Sequence, residues 1–297
     1  MEKLRIIQLL VSLTALGFIL YKVPISIISA RLLGSNPKWL LVAVGFAGLM
    51  ISARFLKWHG LLKSEFPETS ISLSARSLLG GFSLSIMTPG RLGELGRALF
   101  LPSHKSSNAF ILNCIDRSLD FWGLVTFAIV SLFSLAPFRV AIVASFIWLI
   151  LLPLIIFLPR VISSLAQISV LSKRVRSMFS QPLRSKPSIP RAALLSILST
   201  FLDMMAFYAL LRAFTEVEFT VALVAFPWIL LASGIPITIA GFGLREGTAM
   251  TVLSSQGVAS EIAINAALLI FIVSTVLPGA VGALLVLQGS LRRSENS

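Results

Sequence analysis

Apolar runs of about the length of a bilayer-crossing helix recur along this chain. They cover Leu4 to Tyr21, Trp39 to Phe55, Ala109 to Leu135, Val140 to Leu158, Ala192 to Leu211 and Ala263 to Leu287. A hydrocarbon layer of about 30 Å needs roughly 20 apolar residues at 1.5 Å per residue, so each run reads as a spanning helix. Short alternating segments, the mark of a membrane barrel, are missing from the pattern. Charged residues make up 12% of the 297 residues, against about 25% in soluble domains, and mean hydropathy is +0.93. That composition excludes a soluble or disordered chain, and the single cysteine, Cys114, excludes a disulfide scaffold.

The expected fold class is an all-α polytopic membrane protein with about six full spans and two shorter broken segments. The first break runs from Ser77 to Met87, stops at Thr88-Pro89-Gly90, and resumes from Arg91 to Leu101. The second runs from Val221 to Ile235, stops at Pro236 to Gly243, and resumes from Leu244 to Leu253. Each half is too short to cross alone, so each segment is read as a re-entrant helical hairpin. Irregular backbone at membrane depth is stable only inside protein or beside a wet cavity.

Net charge is +13, and between Arg160 and Arg191 seven basic residues occur with no acidic one. Such a loop stays in the cytoplasm. With Lys3 and Arg5 before the first span and Arg292 and Arg293 after the last, both termini are placed on the cytoplasmic side of the cell membrane. The basic residues are then anchors and headgroup contacts, and nucleic acid is not an expected partner. The whole chain, 1–297, reads as one integral membrane domain. Its first half covers about 1–158, the basic loop 159–191, and the second half about 192–297.

The two breaks resemble each other. Pro89, Gly90, Arg91, Gly93 and Glu94 are matched by Pro236, Gly241, Gly243, Arg245 and Glu246, and the flanking spans correspond in mirrored order. Pro89, Gly90, Gly93, Pro236, Gly241 and Gly243 are the expected hinges of an inverted repeat. Gly- or Pro-interrupted segments in corresponding positions of two halves point to a transporter's substrate site.

Charged residues within or near apolar segments are expensive unless paired or solvated. They are Arg54, Arg91, Glu94, Arg97, Asp116, Arg117, Asp120, Asp203, Arg245 and Glu246, and they form the candidate substrate-binding and translocation set. Asp116 and Asp120 share a helix face at i, i+4, while Arg117 is expected to point away. Asp203 has no cation near it in sequence. Hairpin arginines are expected to pair with helix carboxylates and to receive an anionic phosphate through bidentate bonds at a helix break.

Arg54-x-x-Lys57-Trp58, Thr88-Pro89-Gly90-Arg91-Leu92-Gly93-Glu94, Asp116-Arg117-x-x-Asp120, Pro236-x4-Gly241-x-Gly243-x-Arg245-Glu246 and Pro278-Gly279-x-x-Gly282 occur in that order. The ordered set resembles the flippase-like family related to the transmembrane region of lysylphosphatidylglycerol synthetases. That resemblance implies lipid translocation: a phospholipid, an aminoacylated phospholipid or a polyprenyl-phosphate-linked sugar. The synthetases continue into a soluble aminoacyl-transferase domain, whereas this sequence ends at Ser297, so neither the synthetase activity nor the lysyl lipid is carried over.

Two other readings compete. Asp116 and Asp120 could hold Mg²⁺ in a lipid-modifying transferase, but Arg117 interrupts them and no second acidic cluster completes such a site. His59 and His104 fall near span ends or loops and are read as solvated. The chain could also be a non-transporting partner of a separate lipid synthase or glycosyltransferase. The preferred reading is a transporter without a catalytic residue, metal or cofactor, whose partners are membrane lipids.

Overall fold

Asn36 and Pro37 open the first helix. The Asn36 side chain accepts a bond from the Lys38 amide at 3.1 Å, and Pro37 occupies a first-turn position where no amide is needed. This is α1, Pro37–Glu65. The computed structural model describes residues 34–102, 106–146, 148–150, 183 and 187–294. The expected first span, Leu4 to Tyr21, lies outside them, as do the end of the Val140 to Leu158 span and most of the basic loop.

After α1, Ser70 caps α2, Ile71–Met87, by accepting from the Leu73 amide at 3.2 Å. A 3-10 segment follows at Leu92–Phe100, then α3 at Ser106–Leu135 and a shorter apolar helix, α4, at Phe138–Ile150. The second part comprises α5 (Ile189–Phe214), α6 (Phe219–Gly234), α7 (Leu244–Ser255) and α8 (Ser260–Phe271). A π-turn at Ile272–Val276 joins α8 to α9, Leu277–Ser294.

The described residues are all-helical, with one isolated β-bridge and no sheet. Four helical stretches are long and apolar enough to cross a membrane: Pro37–Glu65, Asn108–Leu135, Ile189–Phe214 and Ser260–Gln288. α2, α4 and α6 are shorter apolar helices. Outward-facing Leu41, Val44, Leu49, Phe133, Leu194 and Leu284 suit hydrocarbon rather than water.

Among the described residues two large apolar clusters divide the interior, beside a smaller one of Ala240, Phe271 and Val276. One joins Trp58, Leu62, Phe82, Leu112, Ile115 and Ala193, from α1, α2, α3 and the start of α5. The other joins Ala47, Phe207, Phe226, Leu253 and Ile270, from α1, α5, α6, α7 and α8. Helix α1 contributes to both, and it packs extensively along α5.

Small residues set the closest approaches. A Cβ on Gly282 would lie 2.1 Å from the Leu79 carbonyl oxygen, so α9 presses backbone to backbone on α2. Nearby, the Ser83 hydroxyl donates to the Gly279 carbonyl at 2.6 Å. The Pro278-Gly279-x-x-Gly282 motif thus lies along a helix contact.

Candidate functional site

The two broken segments meet at their tips. Pro89 and Ile239 form an antiparallel bridge, in which the Gly90 amide donates to the Thr238 carbonyl at 3.3 Å and the Ala240 amide to the Thr88 carbonyl at 3.2 Å. The backbone repeats on either side of the bridge. Gly90 and Arg91 have φ of 57° and 60°, while Ala240 and Gly241 have 53° and 78°. The Leu92 amide then donates to Pro89 and the Phe242 amide to Ile239, both at 3.1 Å.

Structurally, therefore, Thr88-Pro89-Gly90-Arg91 corresponds to Thr238-Ile239-Ala240-Gly241. Matching the prolines alone pairs Pro89 with Pro236, three residues out of register. Gly90 is required twice over, by its φ and because a Cβ there would meet the Pro236 Cα at 2.8 Å. Arg91 and Ala240 hold left-handed backbone without that freedom, at roughly 1–2 kcal/mol each. Beyond the second tip, the Glu246 carboxylate accepts from the Gly243 amide at 2.7 Å and caps α7.

Behind the first tip lies a buried charged centre. α1 supplies Lys57, the 3-10 segment Glu94 and Arg97, and α3 Asp116, Arg117 and Asp120. Arg97 Nη1 reaches Asp116 Oδ2 at 2.6 Å and Arg97 Nη2 reaches Glu94 Oε2 at 3.1 Å. Lys57 Nζ lies 3.0 Å from Asp116 Oδ1 and also pairs with Asp120, while donating to the Ser196 hydroxyl at 3.0 Å. Arg91 closes on Glu94 at 2.7 Å.

Arg97 is fully buried, over the rings of Trp58 and Phe82. Its stem fits because residue 81 is glycine: a Cβ there would stand 2.4 Å from Arg97 Cγ.

Arg117 corrects one expectation. It does not point away from the aspartates but pairs with Asp116 at 2.8 Å and with both Asp120 and Glu94. An arginine side chain is long enough to curl back along its own helix, and three carboxylates attract it. Asp116 and Asp120 are consequently already ligated by Lys57, Arg97 and Arg117, and a divalent cation would enter against three like charges. His59 is also placed differently from expectation: it is half-buried in α1, with Nδ1 2.8 Å from the Ser74 hydroxyl and its ring stacked on Phe55. His104 lies outside the described residues.

A small, partly open cavity adjoins this centre. Arg91 lines it from the first break and Arg245 from the second, together with Asp203 of α5 and Ser274 and Thr275 of the π-turn. Phe226, Ile229 and Phe271 give it an apolar wall. Asp203 accepts from the Ser274 hydroxyl at 2.5 Å and faces Arg54 of α1 at 3.5 Å. Arg245 lies over the Phe271 ring at 4.2 Å and pairs with Glu246.

All ten charged residues singled out in the sequence fall within this connected region or, for Glu246, against Arg245. Lys57, which the sequence offers only as part of a motif, joins them, as do Ser196 and Ser274. Lys57 had a usable signal, one turn beyond Arg54 on the same face of α1. The hydroxyls had none.

The architecture and the site define a polytopic helical membrane protein with an ionic interior next to a mixed polar and apolar chamber. The family model for the lysylphosphatidylglycerol synthase TM region matches residues 5–282, and the chain belongs to that family. The match is to the flippase portion of that synthase, which is not its catalytic part. A comparison with curated proteins finds no significant match.

Proposed function

We propose that this protein moves the headgroup of a membrane lipid across the cytoplasmic membrane through the chamber shared by its two broken segments. The carrying observation is that Arg91 and Arg245, one from each break, line the same cavity with Asp203. Guanidinium groups suit a lipid phosphate, and the apolar wall suits the glycerol and first acyl carbons. The lipid tail stays in hydrocarbon while the headgroup crosses.

In this reading the membrane domain has six full spans and two re-entrant hairpins of opposite sidedness, with both termini cytoplasmic. The matched backbone at Gly90-Arg91 and Ala240-Gly241 supports an inverted repeat centred on the Pro89–Ile239 bridge. Rocking of one half against the other would expose the chamber alternately. Candidate cargoes are a phospholipid, an aminoacylated phospholipid or a polyprenyl-phosphate-linked sugar, supplied by a separate lipid synthase or glycosyltransferase.

Reconstitution tests the proposal. Purified protein in liposomes should move tail-labelled lipid between leaflets faster than protein-free liposomes do. Arg245→Gln should slow that movement at least tenfold while inserting normally. Rates equal to those of empty liposomes would refute transport, and an undiminished Arg245→Gln rate would refute the site.

A further inference from the structure

The carboxylates of the charged centre are committed before any ligand arrives. Glu94 is paired with Arg91, Arg97 and Arg117, and Asp116 with Lys57, Arg97 and Arg117. Asp120 is paired with Lys57 and Arg117, and Asp203 with Arg54. Among the described residues, five cations (Arg54, Lys57, Arg91, Arg97 and Arg117) thus face four carboxylates, while Arg245 and Glu246 cancel each other. One positive charge is left over.

Some of these arginines also carry unused donors, whereas the carboxylate oxygens without a hydrogen bond, Asp116 Oδ1 and Asp120 Oδ2, are held in ion pairs with Lys57 and Arg117. Arg54 Nε and Arg91 Nε are buried without a hydrogen-bond partner. Arg91 and Arg245 line the chamber, whereas its one lining carboxylate, Asp203, is held by Ser274 and Arg54. A buried charge without a counter-charge is unfavourable, and a monoanion with two or more acceptor oxygens removes the imbalance.

We infer that the chamber selects a headgroup of one net negative charge, a phosphodiester such as that of phosphatidylglycerol, over zwitterionic headgroups and over diphosphates. A zwitterion would bring an ammonium beside two arginines, Arg91 and Arg245, whose carboxylates are taken. A diphosphate would replace an excess of one sign with an excess of the other. This selection rests on the transport reading for the ligand being a lipid, and it concerns the charge of that lipid.

Binding and movement are measured separately to test it. Purified protein is offered equal phosphatidylglycerol and phosphatidylcholine, and retained lipid is read by native mass spectrometry. The same two headgroups, tail-labelled, are followed in liposomes.

Phosphatidylglycerol should be retained about tenfold over phosphatidylcholine, equivalent to about 1.4 kcal/mol. Arg91→Gln should abolish the preference and Arg91→Lys should keep it. Glu94 still holds Arg97 and Arg117 in both variants, so the centre remains paired.

Equal retention of the two lipids overturns the inference, and so does a preference that survives Arg91→Gln. Displacement of the retained lipid by excess inorganic phosphate would overturn it too, by reassigning the arginines to a soluble anion. Selective retention without accelerated movement would uphold the charge rule and refute transport.

Discussion

Pro89 and Ile239 face each other as a non-hydrogen-bonded antiparallel pair, because the two bonds of their bridge are made by the residues on either side of them. Such pairs bring Cα atoms to about 4.5 Å, within the range a disulfide spans. If the tips must separate for a headgroup to pass, a covalent tie here stops transport without touching the arginines. In a Cys114→Ser background, Pro89→Cys combined with Ile239→Cys should cross-link on oxidation. Lipid movement should then fall at least tenfold and return with reductant, as followed by leaflet-specific quenching. A fully cross-linked protein that still moves lipid would show that the bridge is static.

The charged centre should be a structural requirement as well as a functional one. Asp116 is fully buried against Lys57, Arg97 and Arg117. Asp116→Asn leaves those cations short of a counter-charge in low-dielectric surroundings. Breaking a buried pair from one side costs about 3–5 kcal/mol, so the thermal midpoint in detergent should fall sharply. Glu261→Gln, at the exposed start of α8, is the control that should leave the midpoint unchanged.

Helix α9 should tolerate no side chain at its contact with α2. Gly282→Ala places a methyl group 2.1 Å from a backbone oxygen that cannot rotate aside, so the helices must move apart. A loss of about 1–3 kcal/mol is expected. Gly45→Ala in α1 meets nothing within 4 Å and should be neutral or mildly stabilising. Comparing the two by thermal denaturation separates close packing from a general intolerance of alanine.

How much of this was legible in advance follows from the range of each interaction. The spans at α1, α3, α5 and α8–α9 could be read because length and hydropathy are local properties. Both breaks could be read because Pro89-Gly90 and Gly241-Gly243 interrupt helices from within. Their register could not, since the Pro89–Ile239 pairing joins residues 150 positions apart and is made by backbone atoms. Arg117 was misjudged because helical spacing describes where a Cβ points, not where a long flexible cation ends. The π-turn at Ile272–Val276, which carries Ser274 toward Asp203, has no compositional signature that sets it apart from ordinary apolar helix.

Charge balance makes Asp203 the residue whose neutralisation should act in the opposite sense to Arg91→Gln. Asp203→Asn keeps the shape of the side chain and a carbonyl acceptor for Ser274, but it frees Arg54 and raises the positive excess of the centre from one to two. An anionic headgroup should then be held more tightly and released more slowly. Retention of phosphatidylglycerol should rise severalfold by native mass spectrometry while its rate of movement between leaflets falls. Arg91→Gln lowers both quantities, so the pair of variants separates a charge-balanced chamber from one in which any mutation is simply damaging. If Asp203→Asn weakens phosphatidylglycerol retention, the carboxylate contacts the headgroup directly instead of setting the charge around it.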